Sequence, residues 1–115
     1  MMDNCAFCKI ASGLLPAQII FEDEDIIAFK DIHPITPTHI LVIPKKHIES
    51  IDKIDISDTN LLGKMVIIAR DLAQQYQLSE TGYRLVFNTG PDAGQSVFHL
   101  HLHLLGGRKM PFHFT

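Results

Sequence analysis

Cysteine is scarce: two in 115 residues cannot build the disulfide framework of a small secreted domain. The thiols are expected to be reduced or on a metal, and the location cytoplasmic. No stretch of apolar residues is long enough to span a bilayer, so no membrane partner is expected. The opening Met1-Met2-Asp3-Asn4-Cys5 lacks the basic-then-apolar pattern of a secretory leader. Positive charge is thin too. Ten Lys and Arg stand against 13 Asp and Glu, a net charge of -3, and no basic stripe exists beyond Lys45-Lys46 and Arg108-Lys109. That argues against nucleic acid as a partner. Repeats, low-complexity tracts and linkers are absent, and the length fits one domain over residues 1–115. What the chain does have is apolar content, at 46% enough for a real core.

It also has a row of histidines. Val97-Phe98-His99-Leu100-His101-Leu102-His103-Leu104-Leu105 alternates His with Leu. Successive side chains of a strand point to opposite faces. A strand over 97–105 would set three imidazoles on one face, roughly 6.5–7 Å apart, and the leucines in a core. A helix would scatter them, at about 100° per residue. Buried neutral imidazoles each need hydrogen-bond partners and pack poorly, so a purely structural role fits badly. A metal site and a nucleophilic or acid–base site both remain open.

Along the chain, Cys5-x-x-Cys8 is ambiguous between half a zinc site, a redox pair and two unliganded thiols. The residues after it read as one short helical turn ended by Gly13. Ile19–Glu22 and Ile26–Phe29 flank an acidic turn and predict a hairpin. The segment from Asp31 to Thr38, with Pro34 and Pro37, is a loop. His39–Pro44 is a strongly apolar strand, expected to be central. Ser57 to about Tyr76 is the one long helix, with Ser57 or Asp58 as N-cap. Its apolar stripe of Leu61, Met65, Ile68, Leu72 and Tyr76 is widened by Leu62, Val66, Ala69 and Ala73, which is broad enough to meet a second subunit as well as a sheet. Tyr83–Asn88 is a further strand. The loop Thr89–Ser96 offers backbone N–H groups and the Ser96 hydroxyl at the mouth of the histidine row, a setting suited to an anion. Gly106-Gly107 breaks the last strand, and an apolar tail from Met110 to Thr115 caps the site or frays. The order gives an α+β fold: an antiparallel five-stranded sheet, one long helix and a short N-terminal helix.

The His-φ-His-φ-His-φ-φ run His99–Leu105 resembles the signature of the histidine-triad (HIT) family. Phe7–Ile10, Ala28–Ile32, Pro37–His47 and Gly94 through Arg108 are similar to the nucleotide-binding Hint branch, so the likeness covers nearly the whole chain. That resemblance implies a HIT-like fold and a nucleoside phosphoramidase or nucleotidyl hydrolase acting on purine (adenosine or guanosine) 5′-phosphoramidates and aminoacyl-adenylate-like compounds. It implies His101 as nucleophile, carrying a covalent nucleotidyl group. His99 would orient it, and His103 and His39 would contact phosphate or relay a proton. Asn88 and Ser96 would lie near the phosphate and the leaving amine, with Gly94, Gln95 and Val97 beside them. Asp31 would bind the ribose hydroxyls. Phe29 and Ile32, with Ile19 less directly, would wall the base. Relatives that keep the two cysteines complete a structural zinc site at positions matching Cys5, Cys8, His47 and His99; no cofactor is needed for the chemistry itself. A homodimer is implied, through the long helix and an edge strand. The neighbouring readings are a dinucleoside polyphosphate hydrolase, a nucleotide-binding regulatory protein with incidental hydrolysis, and a zinc-dependent hydrolase, the last disfavoured because no carboxylate lies in the motif.

The physical case runs beside the resemblance. A neutral imidazole is a good nucleophile near pH 7, provided a neighbour holds the proton on its other nitrogen. A leaving amine needs a proton, developing phosphoryl charge needs fixed N–H donors, for which the Gly94–Ser96 loop is the candidate, and an acceptor-only carboxylate such as Asp31 suits a diol.

Overall fold

The computed structural model describes residues 4–111 and residue 113. Two helices and five strands follow in the order α1 (Ala6–Ala11), β1 (Ile19–Glu22), β2 (Ile26–Lys30), β3 (Thr38–Pro44), α2 (Thr59–Gln75), β4 (Tyr83–Val86) and β5 (Leu102–Gly106). The strands form one antiparallel sheet in the order β1-β2-β3-β5-β4. The hairpin, the central β3, the long helix and the antiparallel five-stranded sheet are as the sequence predicts.

Each local choice has a visible cause. The β1–β2 turn is closed by Asp23, whose Oδ1 accepts from the N–H groups of Asp25 and Ile26, both at 2.9 Å, an arrangement aspartate favours. Its other carboxylate oxygen meets Lys64 on α2 at 2.7 Å. β3 is apolar on both faces because both are covered. Ile40 and Val42 join Ile26, Ala28, Leu102 and Leu104 under α2. Leu41 and Ile43 pack with Ile27, Phe29 and Phe7 on the α1 side. The helix buries Met65, Ile68, Ala69, Leu72 and Ala73, while Val66 and Ile67 stay 41% and 46% exposed.

Two expectations at element ends are corrected. α2 begins at Thr59, after a 3-10 turn over Ile56–Asp58. Asp58 occupies its N-cap position but gives it no side-chain bond. Its carboxylate accepts from Asp55 N–H at 2.9 Å and pairs with Lys46 at 2.7 Å, and the reciprocal bonds form a capping box on the 3-10 turn. The histidine strand is also shorter than the alternation suggests. Only Leu102–Gly106 is paired, and residues 97–101 leave the ladder. Leu100 N–H donates instead to Ile48 O at 2.6 Å. The sidedness survives: Leu100, Leu102 and Leu104 all enter the α2-side core. β4 likewise ends at Val86, short of Asn88. Among the described residues no helix is long and apolar enough to cross a membrane. Phe112, Phe114 and Thr115 of the apolar tail lie outside the described residues.

Candidate active site

The face of the sheet opposite α2 carries the histidines. Cross-strand register places His39, Leu105 and Arg84 in one row across β3, β5 and β4, and Leu41, His103 and Val86 in the next. Phe29 of β2 pairs with Leu41, and Asp31 N–H donates to His39 O at 3.0 Å. His101 lies just before β5, its ring centre 4.9 Å from that of His103. His99 is fully buried and His101 nearly so, at 0% and 8% exposure.

Hydrogen bonds assign a tautomer to each neutral ring, because a carbonyl only accepts. His99 O lies 2.7 Å from His101 Nδ1, so Nδ1 carries the proton and Nε2 keeps a bare lone pair. His99 Nε2 donates to Pro44 O at 2.7 Å, leaving its Nδ1 bare. Ile35 N–H donates to His39 Nδ1 at 3.2 Å, so His39 holds its proton on Nε2. That proton points to His103 Nδ1 at 2.9 Å, with Asp31 Oδ2 3.4 Å away. His103 then accepts at Nδ1 and offers Nε2–H as a donor. The row presents one nucleophilic nitrogen and, next to it, one N–H donor suited to a phosphoryl oxygen.

Burial sets the charge state. It lowers the pKa of His101, opposed by the His99 carbonyl bond and by Asp31. It brings His103 down to about 4, aided by His101 and His39, and His99 to about 4 as well. His39 is lowered by the same burial, with Asp31 pulling the other way. All four imidazoles are neutral at pH 7, which a nucleophile and a ligand both require.

The bare His99 nitrogen faces the cysteines. Its Nδ1 lies 3.3 Å from Cys5 Sγ, 3.5 Å from Cys8 Sγ and 3.3 Å from His47 Nδ1, and Cys8 Sγ is 3.2 Å from His47 Nδ1. Zinc bonds of about 2.0–2.3 Å at tetrahedral angles give ligand–ligand edges of roughly 3.3–3.8 Å, close to these separations. Two sulfurs and two imidazole nitrogens, that of His99 bare, make a donor set that fits zinc, and all four atoms lie within 4.8 Å of one another. Without a cation the thiol of Cys8 is pushed up to about 11 by burial and by the adjacent Cys5. Asp31, His39 and His103 form a second such group, but there the same atoms are engaged in the hydrogen bonds just described.

The remaining expected residues divide. Asp31 is half-buried beside His39, its Oδ1 accepting from His33 N–H at 2.8 Å. Phe29 is buried, whereas Ile32 and Ile19 are exposed. Asn88 is half-buried just past β4, Ser96 is exposed, and Val97 packs against the Phe7 cluster. The loop is a less generous source of N–H groups than its composition suggests. Gly94 N–H donates to Pro91 O at 3.0 Å and Gln95 N–H to Gly90 O at 3.1 Å, because Gly94 at φ 84° folds the loop back on itself. The buried Gln95 amide braces that loop: Oε1 accepts from Gly90 N–H, and Nε2 donates to Glu49 O and Val97 O.

Sequence reasoning missed Phe7 as part of the site. Its ring stands edge-on to His101 at 5.1 Å and also meets Phe29 at 5.5 Å. An aromatic between two cysteines was the available signal: once Cys5 and Cys8 converge on His99, α1 has to lay the intervening side chain against the same histidines. The carbonyls of Pro44 and Ile48 were missed as well, since main-chain acceptors leave no mark in a sequence.

Three comparisons bear on the family and the fold. The HIT domain model matches residues 12–110. Protein HitA of Neisseria gonorrhoeae is 45% identical over 91% of this chain and 97% of its own length. A purine nucleoside phosphoramidase of Escherichia coli (strain K12) is 40% identical, over 96% and 92%. Among solved structures, a HIT family hydrolase from Legionella pneumophila Philadelphia 1 superposes with a TM-score of 0.93 at 56% identity, covering 95% of this chain and 97% of that one. In sequence and in fold alike, the chain belongs to the HIT domain family and is one of its hydrolases.

Proposed function

We propose that the chain hydrolyses purine nucleoside 5′-phosphoramidates at the P–N bond, and related aminoacyl-adenylate-like compounds, by way of a nucleotide carried on His101. One observation carries this reading: His101 Nδ1 is tied to a carbonyl at 2.7 Å, which leaves Nε2 as a nucleophile with no proton to lose. In the first step Nε2 forms a bond to phosphorus as the bond to the leaving nitrogen breaks. The departing amine takes a proton from the Ser96 hydroxyl or a neighbouring imidazole. In the second step water adds to phosphorus, the bond to His101 breaks, and the nucleoside monophosphate leaves. His103 Nε2–H meets the phosphoryl oxygens, with His39 holding its tautomer. Asp31 accepts from the ribose hydroxyls, and Phe29, Ile32 and Ile19 line the base side. Asn88 and the loop Gly94-Gln95-Ser96-Val97 bound the phosphate and leaving-group region.

Cys5, Cys8, His47 and His99 would hold a structural zinc, which supplies a closed four-coordinate clamp and no open position for substrate. No step above calls on a cofactor. The exposed Val66 and Ile67 of α2 and the open edge of β4 support a homodimer in which helices and edge strands of two copies pair. The cytoplasmic location expected from composition, and the purine nucleotide such as AMP that the resemblance implies as ligand, belong to the same proposal.

The test is rapid quenching with radiolabelled adenosine 5′-phosphoramidate. Labelled nucleotide recovered on His101 is the expected result. Full turnover with no adduct, or turnover surviving His101→Asn, rejects the reading.

A further inference from the structure

Cys5-x-x-Cys8 is a spacing that serves a metal or a redox pair, and the structure lets one use follow the other. Both thiols are free and half-buried. Cys5 caps the start of α1 and Cys8 sits one turn along it. Their Cα atoms are thus about 5 Å apart, inside the span that a disulfide needs. Cys8 N–H donates to Cys5 Sγ at 3.2 Å, and both sulfurs face His99 Nδ1, at 3.3 and 3.5 Å. A cavity of about 690 Å³ opens onto Cys5, with His47, Glu49, Ser96 and Phe98 on its wall, and Cys8 is not among its described lining residues. A small neutral oxidant entering there meets Cys5 first, with Cys8 behind it.

The segment behind the sulfurs makes their oxidation state matter. Residues 97–101 lie outside the sheet ladder, so the His99 carbonyl that fixes the His101 tautomer is held by other ties. Leu100 N–H donates to Ile48 O, the Gln95 amide donates to Val97 O, and His99 Nε2 donates to Pro44 O. The remaining tie is His99 Nδ1 at the sulfurs. We propose that Cys5 and Cys8 are a peroxide-oxidised pair, whose disulfide opens the zinc clamp and slackens the hold of His99 on His101. The Cys5 sulfur attacks one peroxide oxygen and the O–O bond breaks; the departing hydroxide takes a proton from solvent and leaves a sulfenic acid. Cys8 then attacks the Cys5 sulfur, the S–S bond forms, the S–O bond breaks, and a second hydroxide leaves as water. The two sulfurs have given two electrons to the peroxide. Losing both leaves only His47 and His99, half a tetrahedral shell, and the cation is released. This rests on the zinc clamp and on the His101 nucleophile proposed above.

The test treats the reduced, zinc-loaded full chain with a small molar excess of hydrogen peroxide. Three readouts need no substrate. A chromogenic chelator should record about one zinc released per chain. Peptide mapping should find a Cys5–Cys8 disulfide forming in step with that release. Nitrogen NMR of the imidazoles should show His101 passing from the Nδ1–H form to a mixture of tautomers. Removing the zinc with a chelator under reducing conditions should give the same tautomer change with no disulfide, which ties the change to the clamp. Turnover of adenosine 5′-phosphoramidate should fall at least about tenfold on oxidation and return with dithiothreitol and zinc. The proposal is overturned by zinc retained through the treatment, or by cysteines carried to sulfinic acid with no disulfide. A complete disulfide that leaves turnover or the His101 signal unchanged overturns it as well, as does a tautomer change that chelation fails to reproduce, or a chain that takes up no zinc. If the phosphoramidate is not turned over even by the reduced chain, the P–N reading fails, and the zinc, disulfide and tautomer readouts alone decide the switch.

Discussion

At the scale of single residues, the site is a set of tautomers chosen by neighbours. His101→Asn should cost about 10⁴-fold or more in turnover of an adenosine phosphoramidate while leaving AMP affinity within a few-fold, as steady-state kinetics and calorimetry can check. His103 gives a pH signature. Its pKa is about 4 in the folded chain against an ordinary 6.5, so the unfolded chain takes up the proton first as pH falls. Stability from this residue is whole above pH 6.5, declines below it and is gone near pH 4. Urea midpoints at pH 7.5 and pH 5 should therefore differ, and His103→Asn should shrink the difference. The residues of the row were legible because alternation announces which side chains share a face. Their tautomers were not, because those depend on the carbonyls of His99 and Pro44 and on the Ile35 amide, groups every residue type carries.

Elements were legible where both periodicity and punctuation agreed. The β1–β2 hairpin has apolar runs on either side of Asp23-Glu24-Asp25, and α2 has its stripe. The last strand misled at its start: residues 97–101 have the pattern of a strand but spend their main-chain bonds elsewhere, with Leu100 on Ile48. Pattern reports which way side chains face, and hydrogen bonding decides what is paired. At the other end, Gly107 stops β5 with φ +99°, and an added Cβ would sit 2.9 Å from Pro37 Cβ. Gly107→Ala should thus destabilise by about 1–3 kcal/mol, seen as a lower unfolding midpoint. Leu102, 1% exposed under α2, should cost about 2–5 kcal/mol when cut to alanine.

At the scale of the whole molecule, two predictions concern what the single chain leaves unfinished. Val66→Glu with Ile67→Glu should shift the sedimenting species from dimer to monomer, since a charge at each position forbids burying that apolar face against a second copy. The preparation should carry about one zinc per chain by elemental analysis. Cys8→Ser should abolish that zinc and lower the melting temperature by at least about 5 °C. The proposed dimer rests, at the level of sequence, on an apolar stripe wider than one sheet face needs. The Cys5, Cys8, His47 and His99 quartet was not readable from spacing, because its members come from three separate segments and only the fold brings their ligand atoms within 4.8 Å of one another.

His99 is the meeting point of these scales. Its Nδ1 belongs to the sulfur cluster, its Nε2 to Pro44, and its carbonyl to His101. Cys5 and His99 stand 94 positions apart, so two segments distant along the chain must both be folded before the ring proposed to attack is held. A chain trimmed by a peptidase just after Cys8 would keep every histidine and lose both sulfurs, and on the proposed reading its attacking ring would lose the brace behind it.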